Sequence, residues 1–149
     1  MKIGITGATG QLGRIVVDKL KEKFDAGSIV ALVRSTQKAV DLNVEIREAD
    51  YDKPESLDSA LQGIDTLVLI SSSEIGKRAT QHKNVLLAAQ NAGVKSIIYT
   101  SLLHADKTSL GIADEHVTTE DLLKNTGIPF KVLRNGWYTE TMQALLRVV

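Results

Sequence analysis

The sequence predicts an α/β domain built on a doubly wound parallel sheet. Strand-like apolar runs alternate with helix-like segments along the chain, which is typical of βαβ units. A glycine-rich stretch separates the first strand from the first helix. Glycine followed by an apolar residue closes three predicted helices, at Gly63, Gly93 and Gly127. These features predict a Rossmann-type, three-layer αβα domain with strand order 3-2-1-4-5-6 and a ligand crevice at the carboxyl ends of the strands.

Six short apolar runs predict the strands, at residues 2–6, 28–34, 44–49, 66–70, 96–100 and 130–134. The second contains the near-continuous run IVALV, which is typical of a strand that is covered on both faces. Helical segments are predicted at about 11–24, from Pro54 onward, at 77–92 and at 113–125, with a short helical turn at 36–40. The first helix is expected to bury one face, formed by Leu12, Ile15, Val16, Leu20 and Phe24.

Composition narrows the class of protein. A chain of 149 residues suits one domain, here residues 1–149. Eighteen basic and eighteen acidic residues cancel, without a basic block, which argues against nucleic acid or an anionic membrane as partner. The absence of cysteine excludes disulfides and thiolate metal sites. With no signal-peptide pattern and no apolar run long enough to span a bilayer, we expect a cytoplasmic protein.

The stretch TGATGQLG, residues 6–13, predicts a dinucleotide site. Gly7 would allow a tight turn out of the strand, Gly10 would let the backbone approach a pyrophosphate, and Gly13 would let the helix pack closely. The helix that begins here would direct its free N–H groups and positive dipole end at the phosphates. The alternative is a glycine-rich turn that binds nothing.

The end of the second strand indicates the choice of cofactor. Chains that prefer NAD usually carry an acid there, which binds the ribose 2′-hydroxyl. This chain has Arg34, followed by Ser35, Thr36 and Lys38. A guanidinium binds a phosphate through two parallel hydrogen bonds, so the pattern favours NADP(H) over NAD(H). Alternatively, Arg34 and Lys38 are ordinary surface residues.

Three other loops contain candidate site residues. Asp50 could accept a hydrogen bond from the adenine amino group, with Tyr51 beside it, or could be a turn acid before Pro54. The serines at 71–73 could line the cofactor or be ordinary turn residues. His82 is expected on the solvent side of its helix and receives no role.

His116 is the candidate catalytic residue. It lies four residues before Glu120, so both share one helix face, and it could donate a hydrogen bond or proton to a substrate oxygen. The alternative is a surface His–Glu pair. The three histidines show no pattern that predicts a metal site.

No Tyr-x-x-x-Lys occurs in the sequence. Reduction of an ordinary ketone produces a basic alkoxide and needs a good acid, so the chain looks unsuited to that reaction. Hydride addition to a quinone gives a stabilised anion, for which positioning and weak hydrogen bonds can be enough.

Several motifs together resemble the NmrA-like atypical short-chain dehydrogenases, and within them the group that reduces quinones with NAD(P)H. The resemblance extends from residue 1 to about residue 140. The motifs are TGATGQLG, ALVR, ADY, LISSSE, YTSLLHAD, the helix pattern A-x-E-H-x-x-T-E, and LRNGWYTE.

The resemblance implies a cytoplasmic oxidoreductase that uses NADPH to reduce a quinone-like small molecule. The residues implied for the pyrophosphate are Gly7, Thr9, Gly10, Gln11 and Leu12. Arg34 is implied for the 2′-phosphate, and Asp50 and Tyr51 for the adenine. The residues implied near the ribose and nicotinamide are Ser71, Ser72, Ser73, Thr100 and His116.

The chain departs from the family pattern near its end. Thr141 stands where Asn is usual, and the sequence stops at Val149, so the portion that completes the substrate pocket is expected to be absent. We therefore expect weak quinone reduction and self-association as a homodimer through strand six and the apolar tail. Two other functions stay open: a non-catalytic redox sensor that binds NADP(H), and a fragment whose only property is its fold.

Overall fold

The computed structural model describes residues 1–109, 111–136 and 138. The strands are β1 (Ile3–Thr6), β2 (Ile29–Val33), β3 (Glu45–Glu48), β4 (Thr66–Leu69), β5 (Ser96–Leu102) and β6 (Phe130–Asn135). The helices are α1 (Gln11–Lys21), α2 (Pro54–Ala60), α3 (Arg78–Asn91) and α4 (Ala113–Asn125). Short 3₁₀ segments cover Ala26–Ser28 and Thr36–Leu42.

The six strands form one parallel sheet in the order β3-β2-β1-β4-β5-β6, which confirms the predicted fold class. The order reverses at β1, which pairs with both β2 and β4. The loops that follow these strands therefore meet at one edge of the sheet, where doubly wound folds bind ligands.

Alternate residues of β2 enter two hydrophobic cores, one on each face of the sheet. Val30 and Leu32 join the larger core, to which α2, α3 and α4 contribute buried side chains. Ile29, Ala31 and Val33 join the smaller core with Val17 of α1. A strand buried on both faces needs apolar residues at every position, which explains the run IVALV.

The sheet is covered unevenly on its two faces. At β5 and β6, Tyr99 and Val132 face the larger core. Leu133 lies on the opposite face of the sheet and is 47% exposed. Strand β6 is at the edge of the sheet, as expected, with no neighbour on its outer side within the described residues.

Two details differ from the sequence expectations. Helix α1 ends at Lys21, and its buried residues are Gly13 and Val17, whereas Ile15 and Phe24 are exposed. Because α1 contacts the sheet through Gly13 and Val17, a side chain at position 15 points away from it. Strand β5 extends to Leu102, so Thr100 is a buried strand residue. Within the described part of the chain, no helix has the length and apolar character needed to cross a membrane.

Candidate nucleotide-binding site

A cleft of about 750 Å³ opens at the carboxyl ends of β1, β2 and β4. Its walls come from the turn after β1, the end of β2, Tyr51 after β3, and the loop after β4. Ten of the residues predicted for the cofactor line it: Gly7, Thr9, Gly10, Gln11, Leu12, Arg34, Tyr51, Ser71, Ser72 and Ser73. Asp50, Thr100 and His116 are not among its lining residues.

The three glycines of the turn meet different physical requirements. Gly7 has a φ of +60°, a conformation that favours glycine. A Cβ on Gly13 would lie 2.2 Å from the Gly7 carbonyl oxygen and 2.6 Å from the Ala8 Cα, so the turn and α1 leave no room for one. A Cβ on Gly10 would have only the Gly7 oxygen nearby, at 3.3 Å, and Gly10 lines the cleft. The protein itself therefore requires glycine at 7 and 13, whereas the space beside Gly10 is open to a ligand.

The first turn of α1 presents its backbone to the cleft. Gly10 is the N-cap residue, no side chain caps this helix end, and its first turn contains no acid. The first N–H groups of a helix have no partner within the helix and carry the positive end of its dipole. This helix end therefore suits an anion such as a pyrophosphate.

Two arginines line the cleft, and each already pairs with a carboxylate. Arg34 Nη1 donates to Glu74 Oε1 at 2.9 Å, across from the loop after β4. Arg14 donates to both carboxylate oxygens of Asp41 and to the Lys38 carbonyl oxygen. The cleft thus has a basic side at the end of β2, where the sequence predicts the 2′-phosphate.

Asp50 and Tyr51 are placed differently from each other. Tyr51 lines the cleft, donates its hydroxyl hydrogen to the Ile70 carbonyl oxygen, and has a pKa raised by burial. The Asp50 carboxylate instead accepts the backbone N–H of Asp52, which closes a turn before α2. These are the contacts of a turn acid, and the expectation that Asp50 also binds the adenine stays a prediction.

Side chains of α3 bind all three polar groups of Ser72, which lines the cleft. Arg78 Nε donates to the Ser72 carbonyl oxygen at 2.6 Å, the Ser72 hydroxyl donates to Gln81 Oε1 at 2.5 Å, and the Ser72 N–H donates to His82 Nε2 at 2.9 Å. We did not predict these three supporting residues from the sequence. Their signal was the spacing i, i+3, i+4 of long polar residues on one helix face.

His82 is fully buried, which corrects its expected position on the solvent side. Its Nε2 accepts a backbone N–H, so the ring proton lies on Nδ1 and is donated to Thr119 Oγ1 at 2.9 Å. Thr119 in turn donates to the Glu115 carbonyl oxygen. Burial, and to a lesser extent the nearby charge of Arg78, lower the pKa of His82 to about 3, so the ring is neutral at pH 7.

His116 and Glu120 are both buried but do not bind each other. His116 Nδ1 is 2.7 Å from the Tyr99 hydroxyl, and burial lowers the pKa of His116 to about 4. Glu120 accepts two hydrogen bonds from Arg134 and one from Ser101, and the Arg134 bond holds the pKa of the carboxyl below its usual range. The surface-pair alternative is therefore wrong, whereas the catalytic role of His116 stays a prediction.

Thr100 lies behind the cleft wall and supports it. Its hydroxyl accepts the Ser71 N–H at 3.0 Å, so it supports a lining residue from β5. Among the described residues, no group of three His, Asp or Glu side chains is placed to hold a metal ion.

The fold and the cleft define a nucleotide-binding α/β domain, and comparisons with known proteins specify the family. The family model described as NAD(P)H-binding matches residues 7–149. The chain belongs to this NAD(P)H-binding family, and the resemblance that we read from the motifs is confirmed.

Several relatives are similar over almost the whole chain. Quinone oxidoreductase 2 of Escherichia coli is 54% identical over 95% of this chain and 51% of its own length. The crystal structure of the NADPH-dependent quinone oxidoreductase QOR2 from Escherichia coli, in complex with NADPH, superposes with a TM-score of 0.93 at 53% identity, over 98% of this chain and 53% of that one. The Citrobacter triphenylmethane reductase in complex with NADP(H) has a TM-score of 0.92 at 41% identity, over 95% of this chain and 51% of that one.

An Aspergillus flavus NmrA-like family domain-containing oxidoreductase is 32% identical over 94% of this chain and 49% of its own length. The chain spans about half the length of these relatives.

Proposed function

We propose that residues 1–149 form the NADP(H)-binding domain of an oxidoreductase that transfers a hydride to quinones. The observation that carries this proposal is Arg34, a guanidinium at the end of β2, in a cleft that begins with the glycine turn. An acid at this place would select NAD, and a guanidinium suits the 2′-phosphate of NADP. The similarity to an NADPH-dependent quinone reductase supports both the cofactor and the acceptor.

The residues of the cleft fit this cofactor by their chemistry. The turn that includes Gly7, Thr9 and Gly10, together with Gln11 and Leu12 at the start of α1, would hold the pyrophosphate. Tyr51 would lie by the adenine, and Ser71, Ser72 and Ser73 would lie along the ribose and nicotinamide. Bound NADPH would supply the hydride, and the chain's own residues would bind and orient it.

The chain's own acids fit a quinone better than a ketone. His116 is neutral at pH 7, since its pKa is about 4, so it would act only as a weak hydrogen-bond donor. A quinone needs only weak donors, because its reduced anion is stabilised by resonance.

Oxidation of NADPH in the presence of benzoquinone tests the proposal. We expect NADPH to bind, and its absorbance at 340 nm to fall faster with the chain than in buffer alone. Gly10→Val should bring the rate back to that of buffer. Binding without oxidation would refute hydride transfer by this chain and would favour the alternative function, an NADP(H)-binding sensor.

A further inference from the structure

We propose that Glu74 weakens NADPH binding and so limits the preference for NADPH over NADH, because its carboxylate competes with the cofactor's 2′-phosphate for Arg34. The inference rests on the proposed function, since it takes the cleft to be the NADP(H) site. It adds a residue that opposes binding of the favoured cofactor.

The contact that carries the inference spans the cleft. Arg34 ends β2 and Glu74 lies in the loop after β4, and both line the cavity. Arg34 Nη1 and Glu74 Oε1 are 2.9 Å apart, so this carboxylate oxygen occupies a position where a phosphate oxygen would bind the same guanidinium. A ligand that uses Arg34 must displace the carboxylate or lie directly beside it.

The backbone of Glu74 is held in place independently of Arg34. The Glu74 N–H donates to the Ser72 hydroxyl at 3.1 Å, and α3 binds Ser72 through three side chains. Glu74 Oε2 also lies 3.6 Å from Lys77 Nζ. When Arg34 turns to a phosphate, the negative charge therefore stays near the mouth of the cleft.

The 2′-phosphate of NADPH should prevail over Glu74 in the competition for Arg34. The Arg34 side chain is 69% exposed, and ion pairs exposed to solvent are weak. A 2′-phosphate carries nearly two charges and can take two guanidinium hydrogen bonds, so it prevails over a single carboxylate contact. NADH has an uncharged 2′-hydroxyl in place of the phosphate, does not compete for the guanidinium charge, and leaves the pair intact. Loss of the Glu74 charge should therefore favour NADPH alone.

The test compares the dissociation constants of NADPH and NADH for the unmodified chain, Glu74→Gln and Glu22→Gln. Glu22 pairs with Lys19 at the end of α1 and does not line the cleft, so it is a control for net charge. Glu74→Gln should bind NADPH about two- to fivefold more tightly, the range expected for release of an exposed ion pair. Its affinity for NADH should not change, and Glu22→Gln should match the unmodified chain for both cofactors.

Two results would overturn the inference, and they differ from each other. If the unmodified chain binds NADPH and Glu74→Gln binds it no more tightly, or loses affinity for both cofactors, then Glu74 orients Arg34 or contacts a ribose instead. If the unmodified chain does not bind NADPH at all, the proposed function fails together with the inference. A second variant, Arg34→Gln, should remove the effect of Glu74→Gln on NADPH.

Discussion

Two regions of the sheet are built for different tasks. Around β1, β2 and β4, the carboxyl ends border an open cleft in which the glycine turn and a helix N-terminus face solvent. Around β5 and α4, polar side chains are buried and bind each other, as Tyr99 and His116 do. No buried side-chain polar atom among the described residues lacks a partner. The first region is open for a ligand, and the second is closed by its own hydrogen bonds.

The comparison shows that a polar group can bind a ligand or support the fold. Which of the two it does depends on whether the protein already supplies its hydrogen-bond partners. In the open region, the backbone at the start of α1 has no side-chain cap and is available to an anion. In the closed region, each hydrogen bond holds a neighbour in place: His82 holds Ser72, and Thr119 holds the His82 ring. Variants should therefore distinguish residues that leave room for a ligand from residues whose space or hydrogen bonds the protein itself uses.

The largest expected effect is on folding, from Gly13→Val. Its Cβ would meet backbone atoms at 2.2 and 2.6 Å, which cannot move aside as a flexible side chain would. Overpacking of this kind costs about 3 kcal/mol or more, a large part of a domain's total stability. We expect a large loss of helical signal or a strongly lowered melting temperature in circular dichroism. A melting temperature within a few degrees of the unmodified chain would contradict the predicted packing.

Gly10→Val should instead abolish NADPH binding while the fold survives. The φ of Gly10 is −76°, which valine adopts readily, and the nearest atom to the new Cβ is 3.3 Å away. The methyl groups would occupy the space beside the helix N-terminus, at a cost in folding of about 1 kcal/mol. Titration calorimetry measures the first effect and thermal melting the second. Normal NADPH affinity would show that the motif is only a turn.

The closed region should make stability depend on pH. His82 and His116 have folded-state pKa values of about 3 and about 4, below the ordinary value of 6.5. At pH values between the folded-state pKa values and 6.5, the unfolded chain binds more protons than the folded chain. The free energy of unfolding is therefore highest above pH 6.5 and falls as pH decreases. We expect a loss on the order of 1–2 kcal/mol for each histidine at pH 5, measured by urea denaturation.

His82→Gln is the matched variant for that experiment. A glutamine Oε1 can accept the Ser72 N–H in place of His82 Nε2, but it does not titrate. The loss of stability between pH 7 and pH 5 should therefore be smaller than in the unmodified chain. An equal pH dependence would mean that His82 is not the neutral, buried group described above.

The sequence predicts the features that local spacing determines, and it misses those that depend on contacts between distant segments. The strand order, Gly7, Gly13 and Arg34 were predictable because local spacing and backbone geometry determine their positions. The places of His82 and His116 depend on contacts across the fold. The α3 residue His82 binds Ser72 after β4 and Thr119 in α4, and no local pattern brings these segments together. The solvent-side expectation for His82 was wrong for that reason.

The smallest expected effect concerns self-association. Strand β6 is an edge strand with Leu133 47% exposed, whereas the tail residues Leu145, Leu146, Val148 and Val149 lie outside the described residues. We still predict a homodimer through β6 and the tail, because an uncovered edge can pair with a second copy. Sedimentation should show a mass that rises with concentration, less so for Leu133→Lys. A monomer at all concentrations would refute the prediction.

Parallel titrations with NADPH and NADH, for the unmodified chain and Arg34→Asp, test the central claim most directly. We predict that the unmodified chain prefers NADPH, since only NADPH offers a 2′-phosphate to Arg34. Arg34→Asp should weaken the binding of NADPH by about ten- to a hundredfold, which is the effect of a lost charged hydrogen bond, and should shift the preference toward NADH. Equal affinity of the unmodified chain for the two cofactors, or an unchanged preference in the variant, would contradict the account.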